Sequence, residues 1–204
     1  HRYWLVVSFN LRTAASVASF ISHPQDCELR YGAMTEKYRS IRLSAVNPTV
    51  TPVPPVTPVV ADVEMICVGL SAPRLAHFGI HTHQFISDPD VIATARAEDT
   101  TRAVQAMRKA WRLGLLDGAI IGIGNAPTAL IEVVRLIREE RLRPALVIGM
   151  PVGFVAAAES KDLLMEIDSV PWIAIRGRKG GSTLVVAAVH ALLGLAEAHQ
   201  RPAE

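Results

Sequence analysis

The sequence predicts an α/β sandwich built on a mainly parallel sheet of five strands. Three observations carry that prediction. Short apolar runs alternate with helical patterns from Val59 onward, the connections between them are short, and two of the runs end in glycine-bearing turns that lead into a helix. Strand, helix, strand repeated in this way implies right-handed crossovers and a sheet covered on both faces.

Val59 to Val63 is the first apolar run and reads as a short buried strand, and the His-rich stretch Phe78 to Phe85 reads as a second. Asp99 or Thr100 can then cap a helix in which Val104, Met107 and Trp111 recur at helical spacing. Ala119 to Ile123 is the third strand. Pro127 suits the first turn of the helix that follows, where Leu130, Val133, Val134 and Ile137 form one apolar stripe. Glu139 to Arg143 reads as its solvated, basic end, which the helix dipole favours. Ala145 to Ile148 and Trp172 to Ile175 are the fourth and fifth strands, and Ser182 can cap a last helix over Leu184 to Leu195. Five strands so connected suit a flavodoxin-like three-layer sandwich.

The 204 residues suffice for one domain with a substantial core. Residues 1–50 read as an irregular segment of that same domain and 51–58 as a proline-rich connector leading to the α/β core, 59–204. Four prolines in Val50-Thr-Pro-Val-Pro-Pro-Val-Thr-Pro-Val59 forbid a helix there and favour an extended path. Half of the residues are hydrophobic, a fifth are charged and the mean hydropathy is +0.28, a globular composition. A formal charge of +2 is too small to argue for nucleic acid or a membrane surface, and neither is expected as partner; an acidic ligand has to be met by local cations. Cys27 and Cys67 form no redox or metal-ligand spacing, and His1 to Val7 has no basic start followed by a long apolar run. These features lead to the expectation of a cytoplasmic protein without a membrane span. The chain does not begin with Met, which leaves processing, trimming or a longer reading frame open.

Three segments can carry chemistry. Gly122-Ile-Gly-Asn-Ala-Pro follows a strand, but Pro127 stands where a dinucleotide fingerprint has its third glycine. It reads either as a tight turn needing glycine for its backbone angles or as free N–H groups that bind an anion, such as a carboxylate, at a helix start. Asp99-Thr100-Thr101-Arg102 is either a cap followed by an exposed arginine or a carboxylate clamp of hydroxyls and guanidinium. Arg176-Gly-Arg-Lys-Gly-Gly-Ser182 sets three cations beyond the last strand, where a polyanion can be met, without a Walker sequence. Lys161 adds a cation to the same region. Of seven histidines, His77, His81 and His83 lie close together without an acidic or Cys partner to complete a zinc set. His190 reads as a packing residue, and His23, before a Pro-Gln-Asp turn, is one candidate acid/base among the seven.

Asn125-Ala-Pro-Thr-Ala-Leu, Gly149-Met-Pro-Val-Gly-Phe-Val with Ala-Ala-Glu-Ser-Lys161, and Arg176-Gly-Arg-Lys-Gly-Gly-Ser resemble the motifs of precorrin-8X methylmutase (precorrin isomerase). Asp62-Val-Glu-Met65 with Gly69, and Thr100-Thr-Arg102, fit its upstream motifs, so that the resemblance covers about residues 58–195. It implies a flavodoxin-like fold, a homodimer and no redox cofactor or metal. The activity implied is transfer of a methyl group from C11 to C12 of a corrinoid ring in cobalamin biosynthesis. The product is hydrogenobyrinic acid, or cobyrinic acid from the cobalt-containing substrate.

Ile21-Ser-His-Pro-Gln-Asp-Cys-Glu28 is similar to the family segment that holds a proton-handling histidine, with Ser22 intervening, which points to His23. Ser8-Phe9 resembles a Ser-Phe pair near the substrate. Carried over with Ser8 as substrate contacts are Thr100, Thr101, Arg102, Asn125, Thr128, Lys161, Arg176 and Arg178. Two other readings compete: a catalytically silent relative that holds a corrinoid, and a nucleotide- or flavin-binding domain of the same fold.

Overall fold

The computed structural model describes Leu5–Ser8 and residues 57–200. The elements are β1 (Leu5–Ser8), β2 (Val59–Ala61), α1 (Glu64–Gly69), α2 (Ala72–His77), β3 (Thr82–His83), α3 (Pro89–Ala97) and α4 (Arg102–Arg112). They continue with β4 (Ile120–Ile123), α5 (Pro127–Glu139), β5 (Leu146–Gly149), α6 (Ala157–Met165), β6 (Trp172–Ile175) and α7 (Ser182–Gln200). The sheet runs β1-β6-β5-β4-β2-β3. Its strands β3, β2, β4, β5 and β6 are all parallel, in the order expected of a flavodoxin-like sheet. The expected five parallel strands are present, and β1 adds an antiparallel sixth on the β6 edge, with Leu5 opposite Ile175 and Ser8 opposite Trp172.

Side-chain alternation within these short runs builds the two faces. Val60, Ile121, Ile123, Val147, Trp172 and Ala174 point into one core with α4, α5 and α6. Val59, Ala61, Leu146, Ile148 and Ile173 point into the other with α1, α2 and α7. Both faces being covered is why each run is apolar throughout. Three layers result, with the loops after the parallel strands gathered at one edge.

Four local expectations are corrected. The stretch Phe78 to Phe85 is not one strand: α2 ends before it, Gly79 turns the chain at φ +64°, and only Thr82–His83 pairs with β2. The cap of α4 is neither Asp99 nor Thr100 but Thr101, whose Oγ accepts from the Val104 N–H at 3.2 Å. Asp99 takes a left-handed φ of 49°, and Thr100 turns its hydroxyl to accept from the Gln105 amide instead. The basic stretch after α5 lies outside the helix, which ends at Glu139 and gives way to Arg141 at φ 57°. Gly124 is required by a close approach rather than by its backbone angles: a Cβ there would lie 2.5 Å from the Ser182 Cα.

Among the described residues no helix is long and apolar enough to cross a membrane, and no group of three or more His, Cys, Asp or Glu could hold a metal ion. His77 meets the Phe78 ring edge-on, His83 stacks on Phe85, and His190 lies between Arg74 and the Gly69 carbonyl. The expected segment divisions at residues 50 and 58, Cys27 and His23 involve residues outside those described, apart from the last two of the connector.

Candidate functional site

In a sheet of this order the crossovers diverge between β2 and β4, and the crevice beyond those strand ends is the natural ligand position. Here a side chain of the protein occupies the anion position. Asp62, the residue after β2, is buried, and its Oδ1 accepts from the Gly124 N–H at 3.0 Å. Its Oδ2 accepts from the N–H groups of Asn125 at 2.8 Å and Ala126 at 2.7 Å. The donors at the start of α5, read above as free to bind a ligand carboxylate, are therefore taken by an internal one. Burial pushes the Asp62 carboxyl above the usual carboxylate range, and the three N–H bonds oppose that rise.

The starts of α4 and α5 stand side by side. The hydroxyls of Thr101 and Thr128 are 3.0 Å apart, and Arg102 opens α4 with its side chain exposed. Asn125 is likewise exposed, while its backbone is held by Asp62. Thr100 points toward Gln105, away from the Thr101–Thr128 pair in its bonding.

Next to these turns, the loops after β5 and β6 are tied backbone to backbone. The Met150 carbonyl accepts from Gly181 at 2.8 Å, and the Arg178 carbonyl from Gly153 at 3.3 Å. Gly180 is needed at this seam, because a Cβ there would overlap the carbonyl oxygens of Met150 and Pro151. The close approach of Gly124 to Ser182 joins the seam to the start of α5.

Lys161 secures the same loop from below. Lys161, expected as a substrate contact, has a fully buried side chain whose Nζ donates to the Lys179 carbonyl at 2.6 Å. Burial draws its pKa below the usual lysine range, with neighbouring Asp162 acting in the opposite sense. Arg176 and Arg178, on the loop that Lys161 holds, are exposed and without an ion-pair partner among the described residues.

Thr101, Arg102, Asn125, Thr128, Arg176 and Arg178 thus lie on connected turns along one sheet edge. Ser8 does not join them: its register with Trp172 puts it at the beginning of β6, at the opposite edge. The bonding of Asp62 is not legible from local sequence pattern. An acidic residue directly after the first buried strand is the feature that could have pointed to Asp62.

The family model for precorrin-8X methylmutase matches residues 35–195, which is most of the chain and contains every turn just described. The chain belongs to the precorrin-8X methylmutase family. It is 50% identical over 141 residues to the cobalt-precorrin-8 methylmutase of Leptospira interrogans, a match covering 67% of this chain and 64% of that one. It is 52% identical over 139 residues to the cobalt-precorrin-8 methylmutase of Priestia megaterium, covering 68% and 60%. The solved precorrin-8X methylmutase of Thermus thermophilus superposes with a TM-score of 0.63 at 51% identity, over 70% of this chain and 68% of that one. The matched part therefore spans less than two thirds of the length of the two curated methylmutases. Ser8 and His23 precede the residues that the precorrin-8X methylmutase model matches.

Proposed function

We propose that this chain is a methylmutase of cobalamin biosynthesis that moves a methyl group from C11 to C12 of precorrin-8X or its cobalt-containing equivalent. The observation that carries the reading is the assembly of the family motifs, 125–130, 149–161 and 176–182, into one connected sheet edge with Arg102, Arg176 and Arg178 exposed beside it. The substrate carries many acetate and propionate carboxylates. Guanidinium groups on a braced scaffold suit them, because Arg binds a carboxylate through two parallel hydrogen bonds.

Substrate and product are isomers: the bond from the methyl carbon to C11 breaks, the bond to C12 forms, and no reductant is consumed. The protein's part is to fix the macrocycle and to manage the accompanying proton. Arg102, Arg176 and Arg178 hold carboxylates, while the hydroxyls of Thr101 and Thr128 and the Asn125 amide supply hydrogen bonds. His23 is the proton donor and acceptor, a role suited to an imidazole because its ring nitrogens can both give and take a proton. Lys161 acts through the Lys179 carbonyl as a positioning residue. The active form is a homodimer, which sedimentation can check.

The test is incubation of the protein with precorrin-8X and with its cobalt form, following the absorbance change to product, for the wild type and His23→Ala. Turnover by the wild type and its loss in the variant support the reading. Tight product binding without turnover in the wild type overturns the enzyme reading and leaves a corrinoid-binding relative.

A further inference from the structure

The loop between β5 and α6 presents an apolar crest to solvent. Phe154 is 86% exposed and Val155 84%, with Val152 beside them. Two large apolar side chains this open to water are unusual on a loop that is otherwise firmly held. Pro151 is buried at one end of the loop, and the Met150–Gly181 and Gly153–Arg178 bonds run beneath it. At the other end, Ala156 enters α6 at φ 57°, a conformation that costs a residue with a Cβ and persists where the surroundings impose it. The crest is thus a fixed surface.

Its neighbour decides what it fits. The Gly153–Arg178 bond ties the crest directly to the loop bearing exposed Arg176 and Arg178. An apolar ridge bonded to a cationic one complements a flat ligand with an apolar face and an anionic rim, and a tetrapyrrole polycarboxylate has that division. We propose that Phe154 and Val155 form a binding platform for the apolar face of the corrinoid ring, with Arg176 and Arg178 meeting its carboxylate rim. This rests on the function proposed above and adds to it a share of binding that is independent of charge.

The test measures the Kd of hydrogenobyrinic acid at low and high salt for the wild type, Phe154→Ser, Val155→Ser, Phe154→Leu and Arg178→Gln. Removing an apolar contact of this size from a ligand interface is expected to weaken binding on the order of ten- to a hundredfold. Phe154→Ser should show that loss at both salt concentrations and Val155→Ser a smaller one, whereas Phe154→Leu should keep most of the affinity. Arg178→Gln should lose affinity mainly at low salt. All these side chains are exposed, so unchanged urea midpoints are expected and separate lost contact from lost fold. A wild type that binds, with both serine variants matching its Kd, overturns the platform alone. So does a serine variant that dissociates a dimer in sedimentation at unchanged Kd, since the crest is then a contact between copies. A wild type that binds no corrinoid overturns both the platform and the proposed function.

Discussion

Asp62 and Ala126 meet at 2.7 Å across the crevice between β2 and β4, carboxylate oxygen to backbone nitrogen. With the Gly124 and Asn125 bonds, this contact fastens the end of one strand to the turn and N-cap that lead from its neighbour into α5. Asp62→Ala leaves those donors without their acceptor and is expected to cost about 2–4 kcal/mol. Asp62→Asn keeps one acceptor oxygen but sets an NH2 donor against the remaining N–H donors, so it should cost only slightly less. Urea unfolding of both variants checks the order.

Glu132 gives a pH-dependent prediction. Burial pushes its carboxyl up, but the hydrogen bonds from Arg135 at 2.8 Å and Arg108 at 3.0 Å outweigh burial and hold it below the usual range. A carboxyl with a lowered folded pKa contributes stability that is complete above its unfolded value and fades as pH falls through the folded one. Glu132→Gln is therefore expected to be about 1–2 kcal/mol less stable at neutral pH, a figure reduced by the partial exposure of both arginines. The gap should begin to narrow as pH falls below the unfolded pKa of about 4.5 and close only below the lower, folded one. Denaturation midpoints across pH 3 to 7 follow it.

Lys161→Met separates positioning from stability. Exchanging a buried ammonium for an apolar side chain of similar length is expected to change stability by less than about 1 kcal/mol. The Lys179 carbonyl loses this donor, and the loop bearing Arg176 and Arg178 keeps only its backbone bonds at Gly181 and Gly153 among those described above. Weaker corrinoid binding at an unchanged urea midpoint is the expected pair of results, and Lys161→Arg, which restores a donor, should recover part of the affinity.

Gly122 and Gly124 sit two residues apart and should respond differently to alanine. A Cβ at Gly124 meets the Ser182 backbone at 2.5 Å, whereas one at Gly122 meets a Val185 methyl at 2.9 Å. Backbone yields less readily than a side chain. Gly124→Ala is expected to destabilise by about 2–3 kcal/mol and Gly122→Ala by about 1 kcal/mol, read by thermal unfolding.

Strands buried on both faces were the easiest elements to read, because an apolar run such as Ile120–Ile123 needs no partner to identify it. The sequence Phe78 to Phe85 was not so readable. Its apolar residues can serve a helix end, a turn and a two-residue strand as well as one longer strand, and only the sheet edge selects among them. The same limit applies to the site. Motif residues at the ends of β4, β5 and β6 were placed correctly at one edge, since parallel strands end together. That Asp62 fills the donors of a turn 62 residues away, and that Lys161 bends to a carbonyl 18 residues on, depend on the packed topology: an acidic residue at a strand end hints at the first without naming its partner, and the second leaves no local trace.

The filled crevice also decides which molecules are refused. Phosphorylated cofactors are the habitual guests of this sheet order, and they dock on unoccupied N–H groups at a helix start. In this chain such a guest finds the donors it needs already taken by the Asp62 carboxyl group. Asp62 works as a plug, and the expected sign of it is that flavin mononucleotide fails to bind the wild type in a fluorescence titration. Under the proposed function, recognition then falls to the ridge of loops above the mouth of the sheet, where Arg102, Arg176 and Arg178 are exposed.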